Sequence, residues 1–167
     1  MITKFEDSIL EGPHQQLNLM EGNWQGISRT WFEPDKVANE AAVEGTIKAV
    51  LNGRFLMHEY KSTFAGKPLE GINIIGYDLN TRSFQSAWID SFHMSTGIMF
   101  SKHKTEEGPF NVLGGYEVNY NNEEQIWGWR TEIVLKDNDH LIITAYNITP
   151  EGEEQLATEI SYTRKMN

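Results

Sequence analysis

From Trp24 onward the chain alternates apolar and polar positions with a period of two, in short runs rich in β-branched and aromatic residues. That is the pattern of half-buried strands. The runs fall at about 23–34, 41–52, 54–64, 69–78, 83–91, 94–102, 110–120, 124–135, 139–148 and 155–165, which predicts ten strands and almost no helix. Turn chemistry fills the gaps, as in Glu33-Pro34-Asp35-Lys36, Asn52-Gly53, Ala65-Gly66-Lys67-Pro68, Glu106-Glu107-Gly108-Pro109, Asn121-Asn122 and Thr149-Pro150-Glu151-Gly152. Each gap reads as a hairpin, so neighbours in sequence are expected to be neighbours in the sheet. One segment ahead of the strands has helical character, Pro13 to Met20, with His14, Leu17 and Asn18 on a shared face.

Ten hairpin-linked strands without strongly protected edges favour closure, because closure removes the unpaired backbone row. Glycines inside the strands, Gly45, Gly71 and Gly114 among them, suit the coiling that a barrel demands. The expected fold is all-β: a closed up-and-down antiparallel barrel with a short N-terminal helix, spanning residues 1–167 as one domain. A two-sheet sandwich is the alternative. Eight strands already enclose little more than their own side chains, so ten are expected to leave an interior cavity.

Composition narrows the function classes. The chain has 167 residues, 24 Asp+Glu against 14 Lys+Arg, a formal net charge of −10 and no cysteine. A disulfide scaffold, a thiol nucleophile and a Cys-bound metal are excluded. The acidic balance argues against nucleic acid and anionic membranes, which need Lys and Arg to displace counterions. No apolar run approaches the ~20 residues that a bilayer helix needs, and the opening residues lack an apolar signal region, so the expectation is a cytoplasmic protein.

Gly22-Asn23-Trp24, entering the first strand directly after a helix, resembles the Gly-x-Trp opening of lipocalins and the wider calycin superfamily. In those barrels an Arg near the chain's end packs across the Trp, and Arg164 in Tyr162-Thr163-Arg164-Lys165 is the match. Further residues run in the order and spacing of a bacterial lipocalin-like family, domain of unknown function 1579. They are His14 with Leu17, Asn52-Gly53-Arg54-Phe55-Leu56 followed by Glu59-Tyr60, Phe64-x-Gly66, Gly76-Tyr77-Asp78 and Trp88-Ile89-Asp90-Ser91. The resemblance runs from about His14 to Lys165; it implies a β-barrel and carries no reaction.

Chemistry-bearing residues gather on the central strands. His58, Glu59 and Tyr60 share one, Trp88, Asp90 and Ser91 another, and Trp127, Trp129, Arg130 and Glu132 a third. Neither face of these strands is wholly apolar, so whichever points inward brings polar groups with it. The ligand-binding candidates are Glu59, Tyr60, Trp88, Asp90, Trp129 and Arg130, with Glu59 and Arg130 as an interior polar anchor or, equally, an outer ion pair. Asp90 is the one catalytic candidate, as a general base near the barrel mouth with His93; against that stands a plain turn-capping role. His58, His93 and His103 lack tight ligand spacing, so no metal and no cofactor is expected.

Three readings follow. The first is a barrel that binds a small apolar or amphipathic molecule; the second is a hydrolase- or isomerase-type enzyme on Asp90. The third is a homodimeric scaffold, suggested if Trp127 or Trp129 lies outside. An anionic ligand would need one of the scarce cations Arg130, Arg54 or Lys61.

Overall fold

The computed structural model describes residues 1–105 and 107–166; Glu106, the first residue of one predicted turn, lies outside them. Ten antiparallel strands close on themselves: β1 (Gly22–Glu33), β2 (Lys36–Val50), β3 (Phe55–Phe64), β4 (Lys67–Asp78), β5 (Ser83–Asp90), β6 (Met99–Lys104), β7 (Phe110–Tyr120), β8 (Glu123–Asp137), β9 (His140–Ile148) and β10 (Glu154–Arg164). Each strand pairs with its neighbours in sequence, and β1 closes the ring against β10 with Trp24 opposite Arg164. The sandwich alternative is thereby excluded.

Two short helices precede the barrel where the sequence pattern predicted one: α1 (Phe5–Glu11) and α2 (Pro13–Asn18). Pro13 occupies the first turn of α2, where its missing N–H costs nothing. Ser8 Oγ and His14 Nδ1 share a 2.8 Å hydrogen bond across the two helices, and both residues are buried. Leu17 and Met20 insert into a core with Trp24, Ile47, Leu56, Ile75, Phe84, Phe110, Ile133, Leu141 and Tyr162, which fills the helix end of the barrel. Apolar burial of this kind is the main stabilising term.

That end is sealed by Arg164. Its guanidinium carbon lies 4.3 Å over the Trp24 ring, and its nitrogens donate to the carbonyls of Leu19, Glu21 and Asn138. Gly22 is required beneath it: a Cβ there would stand 2.3 Å from Arg164 Nη1. Trp24 Nε1 donates to the Met20 carbonyl at 3.0 Å, tying strand to helix. The seal joins the end of α2, the start of β1 and the β8–β9 turn in one contact set.

Candidate functional site

Away from the helices the interior is built differently. Strand alternation and register place His58, Asn73, Trp88 and Met99 side by side across β3 to β6. Tyr60, Gly71 and Asp90 form the next row toward the open mouth. The Tyr60 ring lies across β4 because Gly71 has no side chain; a Cβ would come within 2.2 Å of its hydroxyl oxygen. From there the hydroxyl accepts a 2.9 Å hydrogen bond from Trp88 Nε1. A third row runs Ser86, Ser101, Gly114, Trp129 and Asn147. Its small members leave room for the Trp129 ring, which stacks on Trp88 with centroids 5.5 Å apart and an angle of 15°.

Several inward-facing residues of this half, Tyr60, Trp88, Tyr116, Thr131, Ile143 and Thr158, are only half-buried, whereas the core at the helix end is closed. Trp88 and Tyr116 pack with Met99, Trp129 and Ala145 into a second, smaller buried cluster on this side, and the remaining accessible surface of these inward residues faces the mouth. The segment between β5 and β6 lies over one side of it. Asp90 Oδ1 accepts from the amides of Phe92, His93 and Met94 at 3.3, 2.7 and 3.1 Å, and Oδ2 accepts from His93 Nδ1. The cap folds the His93 ring against Trp88 and Trp129, at 5.3 and 5.6 Å, while Phe92 stacks on Phe64 at 4.4 Å.

Charge follows from these contacts. Burial pushes the Asp90 carboxyl up, but the hydrogen bond and charge attraction of the His93 ring, with the amides of His93 and Met94, outweigh it and leave the group below its ordinary value. Complete burial drops His58 to about 4, so the ring is neutral near pH 7; its Nε2 shares a 2.9 Å hydrogen bond with the Tyr162 hydroxyl. Burial raises Tyr60 and Tyr162 well above the ordinary phenol range.

Of the six residues singled out for ligand binding, the barrel brings Tyr60, Trp88, Asp90 and Trp129 together on the mouth side of its interior. It turns Glu59 and Arg130 outward, which corrects the expectation of an interior anchor. The period-two alternation decides the matter: once His58 and Tyr60 face in, Glu59 faces out. Arg130 lies 4.2 Å over the Tyr146 ring and pairs with Glu132 and Glu154 on the outer surface. Those partners raise its pKa further above its ordinary value. Glu59 and Lys61 line a broad open groove of about 850 Å³ on the outer face, alongside Glu44, Glu70, Ile72 and Ile89. Arg54 sits over Phe5 at the helix end. Trp127 and Trp129 share the inward parity and are not exposed large apolar residues, so they offer no outer dimer face.

Asn73 was not among the sequence candidates. Its signal was a lone polar residue in Ile72-Asn73-Ile74-Ile75, where the alternation demands an inward side chain. Among the described residues no three His, Asp or Glu side chains gather as a metal-holding group, and no helix is long and apolar enough to cross a membrane.

The fold defines the class as a closed ten-stranded antiparallel β-barrel. Residues 10–164 match the family model described as "Protein of unknown function (DUF1579)", and the chain belongs to that family. Among solved structures it is similar to Rv2717c from M. tuberculosis, at 12% identity and a TM-score of 0.60, covering 92% of this chain and 98% of that one. It is also similar to the S-type phycobiliprotein lyase CPES from Guillardia theta, at 12% identity and a TM-score of 0.55, covering 98% and 99%. Both likenesses are of fold. No curated protein matches the chain.

Proposed function

We propose that the protein binds a small, largely apolar molecule in the mouth-side half of its barrel. The observation that supports this is the contrast within one interior: a large closed core at the helix end, and toward the mouth a smaller buried cluster of Met99, Trp129 and Ala145 rimmed by half-buried Trp88, Tyr116, Thr131 and Thr158. Pockets for small molecules are apolar, concave and supplied with a few converging polar groups. Tyr60, Trp88 and Trp129 would supply the aromatic walls, and Asn73 with the Ser86 and Ser101 hydroxyls the polar points.

Asp90 serves this reading as a clasp for the mouth segment. Both of its carboxylate oxygens are occupied by His93 and by backbone amides, and its side chain has no exposed surface. An acid or base catalyst needs a free oxygen facing a substrate, so the hydrolase or isomerase reading has less support than binding.

The test is uptake of N-phenyl-1-naphthylamine, a neutral probe whose emission rises in apolar surroundings. Saturable one-to-one uptake by the wild type, lost on filling the mouth-side half with Ser101→Phe, supports the reading. Folded wild-type protein that never enhances the probe overturns it.

A further inference from the structure

We propose that the mouth-side half of the barrel selects an uncharged molecule whose hydroxyl or amide group hydrogen-bonds the Asn73 side-chain amide, and that it rejects carboxylate-headed lipids; this rests on that half being the binding site. Asn73 is 8% exposed, and its Oδ1 is a buried oxygen with no partner among the described residues. The other two unpartnered buried oxygens are elsewhere: Asn18 belongs to α2, and Asn111 has the outward parity on β7. Native interiors rarely leave such a group unmet, and each case calls for an occupant or a reason. Asn73 sits between His58 and Trp88 in its row, with the Tyr60–Trp88 hydrogen bond in the next. An incoming polar group therefore meets an amide whose neighbours are already satisfied.

A buried carboxylate needs a cation beside it, because its desolvation is otherwise uncompensated. Strand alternation sends Arg29, Lys48, Lys61, Lys102 and Arg130 to the outer face, and Lys67 is exposed at a hairpin tip. Arg54 and Arg164 belong to the helix end. The imidazole within the row, His58, is neutral, and Asp90 adds negative potential beside Tyr60. A fatty acid would bring a second negative charge beside Asp90, whose carboxylate already holds the His93 ring at the mouth. An alcohol or amide on the same apolar body brings none.

The experiment displaces bound N-phenyl-1-naphthylamine at pH 7.5 with 1-dodecanol, dodecanoate or dodecylammonium. The expected result is that dodecanol competes at least tenfold more tightly than dodecanoate. Asn73→Leu should weaken dodecanol about tenfold, measured against that variant's own affinity for the probe, and Asn73→Ser, which keeps a hydroxyl, should weaken it less. Dodecanoate binding as tightly as dodecanol overturns the selection, as does dodecylammonium binding tightest, which would make Asp90 the anchor. An unchanged dodecanol affinity in folded Asn73→Leu overturns the role of Asn73. Failure of the wild type to take up the probe at all overturns the binding reading itself, and this inference with it. Should Asn73→Leu fail to fold, the wild-type comparison and Asn73→Ser still decide.

Discussion

Of two buried imidazoles, His14 and His58, the one inside the barrel carries a stability cost that pH exposes. His58 is neutral when folded, with its pKa lowered by burial from 6.5 to about 4. Between those values the unfolded chain binds a proton that the folded chain refuses, so stability falls as pH drops from about 6.5 toward 4. At 1.36 kcal/mol per unit the whole span amounts to about 3 kcal/mol. His58→Gln keeps a hydrogen-bonding partner for Tyr162 and removes the titration. Urea midpoints measured from pH 7.5 to 4.5 should fall less in the variant than in the wild type; parallel curves would contradict the assignment. Gly71 makes a steric case at the same scale. Gly71→Ala puts a methyl group within 2.2 Å of the Tyr60 oxygen and should displace that ring from Trp88, seen as a shift in tryptophan emission and a stability loss of about 1–3 kcal/mol.

Among the elements, the segment after β5 shows most about what a sequence discloses. Period-two alternation made eight strands legible nearly to their ends, because one face of each is buried against a common core, while the second was expected from residue 41 and begins at Lys36. The sixth was expected from residue 94 and begins at Met99. Asp90 gathers the amides of Phe92, His93 and Met94, which diverts the intervening residues from the sheet although their composition suits a strand. Asp90→Ala should therefore abolish hydrogen-exchange protection at those three amides and cost about 1–2 kcal/mol, leaving the amides of β9 unchanged. Because the folded carboxyl titrates below its ordinary value, the Asp90 contribution is present above about pH 4. It is lost as pH falls through the lowered value, and the variant should lack that acid limb. Helix α1 was missed for a different reason: seven residues with no side-chain cap leave little local signal, and its order comes from Ser8 meeting His14. Which face of β3 and β8 turned inward was illegible too, since both faces mix polar and aromatic residues and ring closure makes the choice.

At the scale of the whole molecule, closure is concentrated where the chain's two ends meet. The Gly22, Trp24 and Arg164 signature was readable in sequence because its parts have fixed chemical roles: a bare backbone, a flat ring and a forked cation. Arg164→Ala removes the stacking and the donors to three carbonyls, and should lower stability by about 1–3 kcal/mol in denaturant titrations. Arg164→Lys should recover less than half of that, since an ammonium keeps the charge but not the fork. Equal stability of the wild type and the alanine variant would show that the helix-end core closes the barrel without it.

The Arg164 seal also bears on timing. On the proposed binding reading, a barrel stoppered at one end would exchange a bound molecule through the other, past Phe92, His93 and Met94, so traffic in both directions would share a single bottleneck. Loosening the clasp with Asp90→Ala should then speed entry and escape by similar factors in stopped-flow traces, and leave the dissociation constant of a bound probe nearly where it was.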